Sequence, residues 1–139
     1  MECKRLGNLE QWGSVLEQLD EWKRAGQLDR HQADLLWLLR FRGNWRLREA
    51  ALEMMASLKA PDPELIREAC NILTDENLYQ EVRILAAESV AAMLSSEGGS
   101  GAPLVGPAGK ARECMHALLG SPQPPVLHLA LRRALSQLQ

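Results

Sequence analysis

The sequence predicts an all-α chain, a right-handed solenoid of about three stacked helical hairpins with an N-terminal capping helix. Three observations carry this prediction. One pattern occurs three times: Leu47-Arg48-Glu49-Ala50-Ala51-Leu52-Glu53, Val82-Arg83-Ile84-Leu85-Ala86-Ala87-Glu88 and, more weakly, Val126-Leu127-His128-Leu129-Ala130-Leu131-Arg132. Aligning Leu47, Val82 and Val126 puts Ala51, Ala86 and Ala130 in register, at spacings of 35 and 44 residues. Self-similarity at such a period marks stacked helical units rather than a single closed core. Apolar residues also recur at helical spacing between turn signals along the chain. Finally, aromatic residues are only 4% of the chain, so Leu and Ala supply most of its 46% hydrophobic content. That composition suits close helix packing and argues against a sheet.

Asn8, with Gln11 three residues on, reads as a capping box for the first helix. Leu9, Trp12, Val15, Leu16, Leu19 and Trp22 form its apolar stripe, and Gly26 ends it, giving a capping helix over 8–26. Asp29 with Gln32 repeats the capping logic for a second helix. Its body, from Ala33 to Phe41, is apolar nearly all round, as in a helix sandwiched between others. Gly43-Asn44 breaks that helix, and Asn44 caps a third whose stripe is Leu47, Ala50, Ala51, Met54 and Leu58. These two helices make a first repeat, 29–59.

In Ala60-Pro61-Asp62-Pro63, Asp62 is an N-cap and Pro63 takes the first helical position, where its missing N–H costs nothing. The fourth helix buries Leu65, Ile66, Ala69, Cys70 and Leu73. After the turn Thr74-Asp75-Glu76-Asn77, the fifth buries Val82, Leu85, Ala86, Ser89, Val90 and Met93, completing a second repeat over 62–94. Residues 95–109 hold Gly98, Gly99, Gly101, Gly106 and Gly109 with Pro103 and Pro107, and read as a flexible loop. That insertion accounts for the longer second spacing. The third repeat, 110–139, has a helix from Ala111 to Leu119 and a stiff turn at Pro122, Pro124 and Pro125. Its last helix carries Val126, Leu129, Ala130, Leu135 and Leu138 as the stripe.

The totals narrow the function classes. At 139 residues the chain is expected to be one domain. A net charge of −2 and a pI near 5.9 give no sequence-independent pull toward nucleic acid or an anionic membrane. No stretch approaches the ~18–20 apolar residues that span a bilayer. The N-terminus, Met1-Glu2-Cys3-Lys4-Arg5, lacks the apolar core of a signal peptide. Cys3, Cys70 and Cys114 are odd in number and far apart, which points to a reduced compartment, cytoplasm or nucleus.

No catalytic, cofactor-binding or metal constellation is expected. There is no glycine-rich phosphate loop after a strand, no HExxH and no CxxC. In Cys114-Met115-His116 the Cys and His lie two apart on a helix and face different ways, so a core thiol beside an exposed imidazole is expected. His31 and His128 show no acidic or Cys partner in the sequence, and structural or solvent roles are expected.

Trp45-Arg46-Leu47-Arg48-Glu49-Ala50-Ala51-Leu52 and Glu81-Val82-Arg83-Ile84-Leu85-Ala86-Ala87-Glu88-Ser89-Val90 resemble the second-helix signature of HEAT repeats. These are helical hairpins of the Armadillo-like superfamily, marked by a branched apolar residue, Arg, then an Ala-rich run. The resemblance covers roughly residues 29–139. It implies that Arg48 and Arg83 tie neighbouring repeats together through an acidic or carbonyl partner; the third copy departs from the pattern with Leu127. It also implies a protein-binding scaffold without naming the partner.

In such a stack the second helices line a concave surface. The exposed positions there are expected to be Arg46, Glu49 and Glu53, then Gln80, Ile84 and Glu88, then Arg132 and Arg133. The groove would suit a peptide or helix of a partner protein. Leu127, Leu131, Leu135 and Leu138 are expected to leave an apolar face open at the last helix, available for self-association or another partner. Trp12, Trp22 and Trp37 are expected in the core. Trp45 sits among Arg40, Arg42, Arg46 and Arg48, and either grips a partner or staples its turn locally. Arg42-Gly43-Asn44-Trp45-Arg46 is also similar to a turn of tubulin-binding TOG domains, which implies tubulin binding as an alternative. A HEAT-like enzyme acting on DNA is a second alternative; it would need a basic, aromatic face.

Overall fold

The computed structural model of the chain describes residues 2–3, 7–8, 12–98 and 106–138. These form helices α1 (Trp12–Arg24), α2 (Gln32–Arg40), α3 (Trp45–Met55), α4 (Pro63–Thr74), α5 (Gln80–Gly98), α6 (Gly106–Leu119) and α7 (Pro125–Ser136). A 3-10 turn, Leu28–His31, leads into α2. Strand pairing among the described residues is limited to β1 (Glu2–Cys3) against β2 (Gly7–Asn8), antiparallel, with Glu2 opposite Asn8. The body of the chain is all-helical, as its periodicity predicts.

Helices pack in two rows. α2 lies on α4 and α4 on α6; α1 lies on α3, α3 on α5 and α5 on α7. Cross-contacts pair α2 with α3, α4 with α5 and α6 with α7. One connected core runs from Val15 and Leu19 of α1 to Leu131 and Leu135 of α7.

Local chemistry sets several boundaries as expected. Asn44 Oδ1 accepts the Arg46 N–H at 2.9 Å, and Asp62 Oδ1 accepts the Glu64 N–H at 3.0 Å. Gly26, at φ +69°, ends α1 in a left-handed conformation that favours glycine. Its N–H donates to Lys23 O at 3.1 Å and the Gln27 N–H to Trp22 O at 2.8 Å, which satisfies the last carbonyls of α1.

Other expectations are corrected. Asn8 lies in β2 and α1 starts at Trp12, while Leu9 and Gln11 lie outside the described residues. Asp29 and Gln32 do not cap α2. The Asp29 carboxylate instead accepts the Lys59 N–H at 3.1 and 3.2 Å and the Ala60 N–H at 2.8 Å. Gln32 donates to Ala60 O at 2.9 Å and accepts the Asp62 N–H at 2.6 Å. Backbone groups in the α3–α4 turn need partners, and these two side chains supply them from thirty residues away.

Part of the segment 95–109, expected as a flexible loop, is helical. α5 continues to Gly98 and α6 begins at Gly106, leaving 99–105 outside the described residues. Pro107 is tolerated in the first turn of α6, where its missing N–H has no intrahelical partner. Packing of α6 on α4 and α7 overrides the low helix propensity of glycine.

Arg48 and Arg83 do find carbonyl partners, but within their own hairpins rather than between repeats. Arg48 Nε donates to Leu39 O at 3.0 Å and Arg83 Nε to Leu73 O at 2.8 Å. Each acceptor is the penultimate residue of the preceding helix, whose final carbonyls lack helical partners. In the third hairpin Leu127 is buried at the corresponding position, and the Ser121 hydroxyl donates to the penultimate carbonyl of α6, Leu118 O, at 2.9 Å. A buried tie between the second and first hairpins is Ser89, whose hydroxyl donates to Leu52 O at 2.6 Å.

The rotation of α7 also differs from expectation. Leu127 and Leu131 are 0% exposed and Leu135 is buried, because α7 lies in the angle between α5 and α6. Three of the four leucines expected on an open face are therefore packed within the chain, Leu131 among them, which removes it as a partner contact; Leu138 is half-buried. Val126 and Leu129 are the exposed apolar residues of α7 instead.

Candidate functional site

Exposed aromatic side chains mark the surface where the second helices begin. Trp45 opens α3 and Tyr79 immediately precedes α5, so the repeat places both at hairpin turns. Trp45 is 52% exposed and Tyr79 71%. With Glu49, Glu81 and Val82 they line a groove of about 490 Å³. Trp12 and Trp37, expected in the core, are 41% and 40% exposed; Trp22 is buried.

The groove combines π faces with carboxylates. Arg46 already holds its guanidinium carbon 5.2 Å from the Trp45 ring centroid and 5.6 Å from that of Trp12. That spacing is within cation–π range. Partial burial, then the neighbouring Glu53 charge, pushes the Glu49 carboxyl above its ordinary value; Glu81 adds to the effect and Arg46 opposes it.

A second groove, about 300 Å³, lies between α5 and α7 and is lined by Ile84, Glu88, Val126, Leu129 and Arg133 among others. α5 contributes to both grooves, with Glu81 and Val82 in the first and Ile84 and Glu88 in the second. The expected second-helix contacts thus divide. Trp45 and Glu49 share the first groove; Ile84, Glu88 and Arg133 share the second. Glu53, Gln80 and Arg132 are exposed but line neither. Sequence reasoning missed Tyr79, Glu81, Val126 and Leu129. The single tyrosine of the chain, placed just before a repeat helix, was the available signal for the first two.

The histidines and cysteines have closer neighbours than the sequence suggests. His31 stacks on Trp22 with centroids 3.7 Å apart, and its Nδ1 lies 3.5 Å from the Asp34 carboxylate, an acidic partner that the sequence reading did not assign. His128 Nε2 lies 3.0 Å from Ser121 O, bracing the α6–α7 turn. Cys114 is half-buried and His116 exposed, on different faces of α6 as expected, but Cys114 has Cys70 of α4 beside it. Among the described residues no group of three or more His, Cys, Asp and Glu could hold a metal ion. No helix among them is long and apolar enough to cross a membrane.

No family model, curated protein or solved structure matches this chain.

Proposed function

We propose that this chain is a non-catalytic binding module, a right-handed α-solenoid of HEAT-like hairpins whose second-helix face takes a cationic segment of a partner protein. One observation carries the reading: Trp45 and Tyr79 stand exposed in one groove with Glu49 and Glu81. Aromatic faces and carboxylates together recognise Lys and Arg side chains. The adjoining groove, with Ile84, Val126 and Leu129, offers apolar contacts for the same segment. Aromatic anchors of this kind dominate binding energies. The two-row packing of the helices supports the solenoid description.

Calorimetric titration of the full chain with amphipathic peptides of matched length tests this. Peptides bearing Lys and Arg should bind, and their Glu-substituted counterparts should not. Trp45→Ala with Tyr79→Ala should weaken binding about tenfold or more, and Glu49→Lys with Glu81→Lys should abolish it. Equal affinity for basic and acidic peptides, or indifference to both pairs of substitutions, would overturn the reading. Co-sedimentation with tubulin, or a salt-dependent shift of DNA, would favour the corresponding alternative.

A further inference from the structure

We infer that Cys70 and Cys114 form a peroxide-reactive dithiol site that closes to an intramolecular disulfide between α4 and α6. The site is independent of the partner-binding reading, because α4 and α6 belong to the other helix row. Both cysteines are free and half-buried, and both line one cavity of about 310 Å³ with Arg67 and Lys110. A purely structural core thiol is enclosed by packed atoms; these two open onto a space that admits a small hydroperoxide. The helices that carry them pack directly on each other.

The two thiols have different parts to play. A hydrogen bond from the Cys70 thiol draws Cys114 down to about 7, against the opposing effect of its partial burial. The same hydrogen bond, then burial, raises Cys70, which keeps its proton. Cys114, the less buried of the two, is the nucleophile and Cys70 the resolving thiol. The Cys114 thiolate attacks one peroxide oxygen; an S–O bond forms, the O–O bond breaks, and the leaving alkoxide or hydroxide takes up a proton. Cys70 then loses its proton and attacks the Cys114 sulfenyl sulfur; an S–S bond forms, the S–O bond breaks, and hydroxide departs with that proton as water. In sum two thiols and one hydroperoxide give one disulfide, one alcohol (water, from hydrogen peroxide) and one water. The sulfur atoms lose two electrons and the peroxide gains them. Exchange with a thiol reductant reverses the change.

The experiment treats the full, reduced chain with one equivalent of hydrogen peroxide, blocks remaining thiols and maps the cysteines by peptide mass. The expected product is a Cys70–Cys114 cross-linked peptide, lighter by two hydrogens and restored by dithiothreitol. Cys3→Ser should leave it unchanged. In Cys70→Ser, Cys114 should give a sulfenic acid trapped by dimedone, at a rate rising with pH through about 7. In Cys114→Ser, Cys70 should stay reduced. A disulfide to Cys3 or between chains, equal reactivity of Cys70 and Cys114, or no loss of thiol from the wild-type chain would overturn the proposal. If a serine variant misfolds by circular dichroism, the wild-type peptide map decides alone.

Discussion

Arg83 donates its Nε–H to Leu73 O at 2.8 Å, and the bond spans the buried angle between α4 and α5. Arg48 repeats it to Leu39 at 3.0 Å between α2 and α3. The stem of each arginine fills core space while its head closes a helix end. The two environments are not equivalent. Burial, then repulsion from Arg42, lowers the Arg48 guanidinium below its ordinary value, with Asp75 and Glu68 opposing. Arg83 leaves its Nη2 without an acceptor among the described residues.

That orphaned group makes a graded prediction. Arg83→Ala removes the packed stem and strands the Leu73 carbonyl, and should cost about 3 kcal/mol. Arg83→Met keeps most of the volume and removes the unpaired donor, and should cost only about 1 kcal/mol. Urea unfolding of both variants measures the difference. Equal losses would mean that the hydrogen bond outweighs the packing.

Asp29 should matter more than an exposed loop carboxylate ordinarily does. It accepts from Lys59 and Ala60, and Asp29→Ala leaves those N–H groups to water, at about 2 kcal/mol for charge-assisted bonds. Asp29→Asn retains one acceptor oxygen and should lose about half of that. Amide exchange at Lys59 and Ala60 should accelerate in both variants. Exchange confined to the ends of α2 would show that the carboxylate acts as a cap after all.

Glu49 supplies a pH signature. Its folded carboxyl binds a proton more tightly than the unfolded one, so the charged form works against folding above the folded value and the penalty fades in acid. Glu49→Gln should stabilise the chain at neutral pH by about 0.5 kcal/mol, given the solvent screening of a partly exposed group. The gain should vanish below the ordinary glutamate range. Paired denaturation curves at neutral and acid pH read the difference, and a gain that persists in acid would assign it to helix propensity instead.

The parts of the fold that were legible rest on local chemistry. Asn44, Asp62 and Gly26 set their boundaries through bonds to residues at most five positions away, and the sequence contains all the partners. The repeat register was legible too, since Arg48, Arg83 and Leu127 occupy matching buried positions. What stayed hidden depends on rotation and on distant partners. On α7 a stripe through Val126 and Leu129 and one through Leu127 and Leu131 are equally apolar, and only contact with α5 and α6 selects the second. Trp12 and Trp37 lie on apolar stripes yet at their exposed margins. Asp29 looked like a cap because its true partners lie far along the chain. Each groove was legible in part, the first through Trp45 and Glu49 and the second through Ile84, Glu88 and Arg133; Tyr79 was not, because no periodic stripe includes it.

The main packing pairs join helices no more than two steps apart in order, as α1 with α3 or α5 with α7. Contacts so local close only short loops, and chains built from them order quickly. Synthesis on a ribosome therefore resembles bricklaying: α1 and α2 have the helices they pack on once α4 has emerged, and each later helix lands on a course already set. No early stretch of core has to wait, sticky and bare, for the far end of the chain.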